Sequence, residues 1–356
     1  MLRDQRFSVE PQKASNYRDV RALSEKTEYV QRLTEQLMLF RDPPDHTRLR
    51  NLVQKAFTPR VIQSFRESTA RLASELIDVV VANGSMEILA DFAWPLPVIV
   101  IAEMLGVPVE QRQRFRDWAR DLALTLEPVI PPGVGERADR SARALSDFLS
   151  DLIAERAARP RNDLVTALAQ AEHDGDRLSH DELLANLMLL LIAGHETTMN
   201  LIGNGMLALL RHPDQQELLT RNPSLAPGAV EELIRFDGPV HATQRIPTEP
   251  VTVGDQKIAA GDRVIVIIAA ANRDPAWFVE PDRLDLARAN NRHLGFGGGP
   301  HYCLGNALAR LEAEIAFPLL LRRLRGLALD GPEPEYRDTV ALRGLKALTV
   351  SFEPGA

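Results

Sequence analysis

A single cysteine, Cys303, stands in a chain of 356 residues. That excludes an internal disulfide framework and any zinc or iron–sulfur centre built from several thiolates. Aromatic residues make up only 5% of the chain, so the core has to be mostly aliphatic. No apolar run exceeds eight residues, Val264 to Ala271, whereas a bilayer-spanning helix takes about twenty. The opening Met1-Leu-Arg-Asp-Gln-Arg-Phe7 carries charges where a signal peptide has an apolar stretch. A basic surplus is missing too: 42 Lys and Arg against 49 Asp and Glu leave a net charge of −7, the wrong sign for a nucleic-acid binder. The expectation is a monomeric cytoplasmic protein, with neither membrane nor nucleic acid as partner.

Hydrophobic residues at 45% and charged residues at 26% are ordinary for a globular protein. No repeat and no Gly/Ser linker divides the chain, so it reads as one domain over 1–356, helix-rich in 1–236 and β-containing in 237–356. Three- and four-residue apolar steps predict helices over 60–82, 96–105, 110–126, 135–158 and 163–172, with Asn83-Gly84 closing the first. Ser179 and Glu182 have the spacing of a capping box. From there a helix runs to about Arg211, apolar nearly all round from Leu187 to Ala193, as a buried central helix would be. Another helix covers about 227–236. A hairpin about Gly254-Asp255, a strand over 262–270, a last helix from Asn306 to Leu324 and short strands in the tail complete the pattern. Pro318 should kink or break that last helix. The fold class is mainly α with a small β portion.

Chemistry concentrates in Phe296-Gly297-Gly298-Gly299-Pro300-His301-Tyr302-Cys303-Leu304-Gly305. Three glycines allow left-handed backbone and a close approach of amides to a bound group. The cysteine follows just before a helix start, where free N–H groups and the helix dipole favour a thiolate. In the central helix, Ala193-Gly194-His195-Glu196-Thr197-Thr198 pairs two small residues with a carboxylate and a hydroxyl. Such a pair can relay protons; a threonine there can also bond back to its own helix.

The glycine–cysteine stretch resembles the heme-binding loop of the cytochrome P450 family, and the match extends to four further motifs in the family's order. The resemblance implies a cytochrome P450-like fold around a buried heme b (iron protoporphyrin IX), with Cys303 as axial ligand of the iron. Phe296, Gly297, Ala193 and Gly194 would lie against the cofactor. His46 and Arg50, in His46-Thr47-Arg48-Leu49-Arg50, would bind its propionates together with Arg245 and His301. Physically, two buried carboxylates need charged partners, which Arg can grip in bidentate fashion. Thr197 and Glu196 match the oxygen-activation motif. Glu232 and Arg235 match a structural Glu-x-x-Arg pair, and Arg283 the arginine that joins it, although the family's usual Phe is replaced here by Leu284.

The implied activity is a monooxygenase that inserts one atom of O2 into an apolar small molecule, with electrons from a ferredoxin or flavodoxin. Residues 41–66 carry six bases and two acids, and 306–325 four bases and two acids. In the family both segments lie near the cysteine, so a basic docking patch is expected. Arg3 to Ser8 resembles a segment that follows several dozen residues in most relatives, which implies a shortened form or a misplaced start and a less covered sheet edge. Two alternatives stay open: a heme-binding protein without turnover, and a hydrolase with a cysteine nucleophile.

Overall fold

The computed structural model describes residues 1–17, 28–123, 125, 133–173 and 175–354. Its helices are α1 (Glu28–Thr34), α2 (Asp45–Gln54), α3 (Pro59–Ser64), α4 (Arg66–Val80), α5 (Pro95–Met104) and α6 (Arg112–Ala123). They continue as α7 (Val134–Ala158), α8 (Leu164–Ala169), α9 (His180–Arg211), α10 (Pro213–Arg221), α11 (Ala226–Asp237) and α12 (Asn306–Arg323). The mainly helical reading holds. The stretch expected as one helix over 60–82 is two, because Phe65 adopts ψ near −4° and lets α4 start afresh. Gly84 then closes the segment in left-handed backbone, φ 68°, as expected. The predicted end of the 110–126 helix falls partly outside the described residues, and the Asp163 side chain caps α8.

The long helix α9 organises the rest. Both halves of its capping box are formed: Glu182 N–H donates to Ser179 Oγ at 3.2 Å, and Ser179 N–H to Glu182 Oε2 at 2.9 Å. Such a cap is worth about 1 kcal/mol. Its 32 residues span about 48 Å. It packs against α5, α6, α7, α11 and α12, and its apolar residues from Leu183 to Leu209 are almost all buried. Pro318 sits inside α12 without breaking it, flanked there by buried Phe317, Leu320 and Leu321.

The strands are β1 (Phe7–Ser8), β2 (Ser85–Glu87), β3 (Glu172–His173), β4 (Asp176–Arg177), β5 (Ala242–Pro247), β6 (Val251–Val253), β7 (Gln256–Ile258), β8 (Val264–Ile267), β9 (Ala328–Leu329) and β10 (Thr349–Ser351). β1, β5 and β8 form one antiparallel sheet in that order, and β2, β10 and β9 another. The expected hairpin is β6–β7, turning at Gly254 with φ 56°. The strand expected over 262–270 is shorter, since a helical turn takes over at Ile268–Ala271. Among the described residues β8 is paired on one side only, and Ile265 and Ile267 are exposed there. Among the described residues no helix is long and apolar enough to cross a membrane.

Candidate active site

A cavity of about 550 Å³ lies between α9, the 294–305 loop, β5 and the N-terminal segments. Its lining includes Cys303, His46, Arg50, Arg245, His301, Phe296, Gly297, Ala193, Gly194 and Thr197. Ten residues spread over 258 positions of sequence therefore meet in one place. Apolar side chains, among them Val30, Met38, Phe57, Ile101, Leu189, Val240 and Leu342, supply much of the remaining wall.

The cysteine loop is tied from below. Gly297 and Gly299 take φ of 74° and 69°, and a Cβ at Gly299 would come within 2.4 Å of the Leu2 carbonyl. Cys303 N–H donates to the Phe296 carbonyl at 2.9 Å, closing the loop. Asn306 Nδ2 donates to the Cys303 carbonyl at 2.6 Å, and Arg310 grips both Asn306 and Glu231. Glu231 and Arg310 escaped the sequence reading. The i, i+4 spacing of Asn306 and Arg310 was the available signal. Burial pushes the Cys303 thiol up, against the opposing pull of the Gly305 and Asn306 amides, Arg50 and Arg310.

Four bases rim the cavity. Arg50 follows His46 by one turn of α2, and the rings of His46 and His301 lie 4.0 Å apart. Burial, with Arg50 beside it, holds His46 down at about 4. Burial and then His46 and Arg245 push His301 down to about 3. Both rings are thus neutral N–H donors at neutral pH. Among the described residues buried Arg245 donates to Thr243 Oγ1 and the Gln244 carbonyl. Burial lowers the pKa of both Arg50 and Arg245. None of the four forms an ion pair with an acid among the described residues, and His46 Nδ1 is buried without a hydrogen-bond partner. Buried cations without anions are costly. A group bearing two carboxylates over an apolar, sulfur-floored cavity satisfies them, so the residues present fit heme.

The Glu232–Arg235 pair is buried as expected, with two bonds of 2.8 Å. The third partner is Arg288, not Arg283. Arg288 Nε reaches both Glu232 oxygens at 3.1 and 3.0 Å. The Arg283 guanidinium is exposed and pairs with Glu280, while its carbonyl accepts from Arg235 and Arg288. The extra turn of chain after Arg283 brings the later arginine over the carboxylate.

On α9 the outcome is mixed. Thr197 lines the cavity, but its hydroxyl donates back to the Ala193 carbonyl at 2.7 Å, leaving the oxygen free to accept. A Cβ at Gly194 would meet Ile101 Cδ1 at 2.7 Å, so the glycine also serves the packing of α5. Glu196 is buried and is not part of the lining. Its carboxylate points to the C-terminal loop, where Arg337 Nη1 donates at 2.5 Å and Asn200 Nδ2 at 3.4 Å.

The expected basic patch is thinner than its sequence suggested. Arg48 is bound by Glu182 and Asp176, Arg66 by Glu314 and Arg323 by Asp78. Arg60, Arg322 and Arg325 stay exposed and form no ion pair among the described residues.

Comparison with known proteins agrees with the geometry. The pattern of the family described as "Cytochrome P450" matches residues 12–347. A Priestia megaterium protein, cytochrome P450 CYP107DY1, is 41% identical over 359 residues, covering 99% of this chain and 87% of that one. The polyketide biosynthesis cytochrome P450 PksS of Bacillus subtilis is 40% identical over 356 residues, covering 99% and 86%. The solved structure of P450BioI, in complex with hexadec-9Z-enoic acid ligated acyl carrier protein, superposes with a TM-score of 0.91 at 38% identity, covering 99% and 89%.

Proposed function

The chain belongs to the cytochrome P450 family, oxygen-incorporating oxidoreductases that carry heme b, and on that premise we propose that Cys303 is the axial ligand and an apolar small molecule the substrate. The observation that carries this is the convergence of one sulfur and four acid-free bases on a single largely apolar cavity. When bound, the heme supplies the activation of O2, aided by thiolate donation.

The protein's own residues do the rest. His46, Arg50, Arg245 and His301 would hold the two propionates. The Asn306–Arg310–Glu231 chain holds the sulfur's loop rigid. Apolar side chains on α5 and α9 exclude water and offer a substrate only dispersion contacts and shape. Thr197 accepts and passes a proton on the cavity side. The hydrolase alternative lacks support, because no histidine nitrogen is hydrogen-bonded to the Cys303 sulfur among the described residues.

The decisive experiment is Cys303→Ser: the reduced, CO-bound enzyme is expected to lose its red-shifted Soret band, and an unchanged band would refute the assignment. Electrons would come from an acidic ferredoxin or flavodoxin docking near Arg60, Arg322 and Arg325. Reduction by such a partner should slow with added salt, though only modestly, since Arg48, Arg66 and Arg323 are already paired.

A further inference from the structure

A fifth base lines the same cavity, outside the set assigned to the propionates. Arg263 stands immediately before β8, half-buried, in a wall it shares with Gln244, Gln12 and Pro11. Its Nε donates to Asn16 Oδ1 at 2.9 Å and its Nη1 to Gln244 Oε1 at 3.1 Å. A guanidinium has five N–H donors, so most of them have no partner among the described residues, and none reaches an acid there. Glu35, the acid in the lining among those residues, accepts from the Tyr17 hydroxyl at 3.0 Å and forms no ion pair with Arg263.

Arg263 also lies apart from the other four bases. In the β5–β8 register Gln244 pairs with Ile265 and Arg245 with Val264, and successive side chains on a strand leave opposite faces. Arg263, two residues before Ile265, therefore shares the face of Gln244 and not that of Arg245. The charges that act on His46 and Arg245 are those of Arg50 and Asp42. Its bond to the exposed Asn16 puts Arg263 where the cavity meets solvent.

We propose that Arg263 is a specificity-determining residue: it binds the carboxylate of a substrate that is an acid with an apolar body, and holds that acid group at the cavity mouth. Asn16 and Gln244 grip the guanidinium through neutral oxygens, which fix its plane without cancelling its charge. The open N–H groups of Nη1 and Nη2 can take both oxygens of a carboxylate. Apolar lining such as Val30, Met38, Leu189 and Val240 suits a hydrocarbon body but cannot choose which end enters first; one anchored end can. Oxidation then falls away from the carboxyl end. This rests on the heme reading given above.

The test is a spin-state titration of the heme-loaded enzyme with dodecanoic acid and with dodecanol, which share a chain and differ in charge. The wild type is expected to bind the acid more tightly than the alcohol. Arg263→Leu should weaken the acid about tenfold or more, as for losing a charge-assisted hydrogen bond, and leave the affinity for the alcohol nearly unmoved. Arg263→Lys should recover part of the preference, because it restores the charge without the planar fork. An arginine that merely ties Asn16 to the sheet would lower stability without changing the ratio of the two affinities. Equal binding of acid and alcohol by the wild type, no response to the acid, or equal weakening of both in Arg263→Leu overturns the proposal. So does loss of heme from Arg263→Leu, which would place the residue with the propionate set. Should Arg263→Leu fail to fold, Arg263→Gln gives the same comparison. A normal CO-bound Soret band in each variant keeps failure here distinct from failure of the heme assignment.

Discussion

Two clusters of charge lie within this protein, and they are built on opposite principles. Around Glu232 the acid is saturated: Arg235, Arg288, Asn291 and the Asp285 amide all donate to one buried carboxylate. Around the cavity rim the charge is left open: among the described residues Arg50, Arg245, His46 and His301 have no acid bound. Saturation marks scaffold, because a closed network has no capacity left for a ligand. The unsatisfied rim carries a desolvation cost that only an incoming anion offsets. The same residue types thus serve structure in one place and recognition in the other, and what separates them is whether the partner is part of the chain.

The contrast can be broken most severely at Glu232. Replacing it with Ala strands the buried Arg235 and the half-buried Arg288, and should cost about 3–5 kcal/mol. Denaturant unfolding would show it, or the variant would fail to accumulate folded. Second in size is the rim: Arg245→Leu removes a buried cation with no acid partner, so stability to unfolding should change little. Heme should instead leave about tenfold faster or more, as expected for losing a charge-assisted hydrogen bond of about 1.5–3 kcal/mol. Transfer of heme to an excess acceptor protein measures that rate. Equal loss of stability at both sites would erase the distinction.

The smallest effect belongs to Glu231, which sharpens the scaffold side. Burial raises its carboxyl pKa, but bonds from His293 and Arg310 outweigh that and lower it from 4.5 to about 2. A depressed folded-state pKa means stability present above the unfolded value of about 4.5 and lost as pH falls toward 2. The contribution at neutral pH is on the order of 2 kcal/mol once partial exposure is discounted. Glu231→Gln should therefore be less stable than the wild type at pH 7, and the difference should shrink in acid unfolding curves below about pH 4.

Much of the site was legible beforehand because its motifs are local. The Phe296–Gly305 loop, the His46/Arg50 turn and the Ser179 capping box each hold their chemistry within a few residues, where spacing alone fixes relative position. The Arg283 assignment failed for the converse reason: which arginine covers Glu232 depends on how an irregular stretch of chain folds back, and sequence spacing does not measure that. Helix α4 escaped its predicted start because one φ/ψ change at Phe65 leaves the apolar periodicity intact on either side.

By itself the amino-acid sequence determined the helical class, the long buried helix and the identity of the sulfur, since propensity, capping and apolar periodicity act between near neighbours. Only the tertiary structure decided that Glu196 faces Arg337 rather than the cavity, that Arg288 completes the Glu232 network, and that Arg48, Arg66, Arg310 and Arg323 of the two basic segments are already ion-paired. Those outcomes turn on which distant side chains come within about 3 Å, a hydrogen-bonding distance that only the packed chain sets.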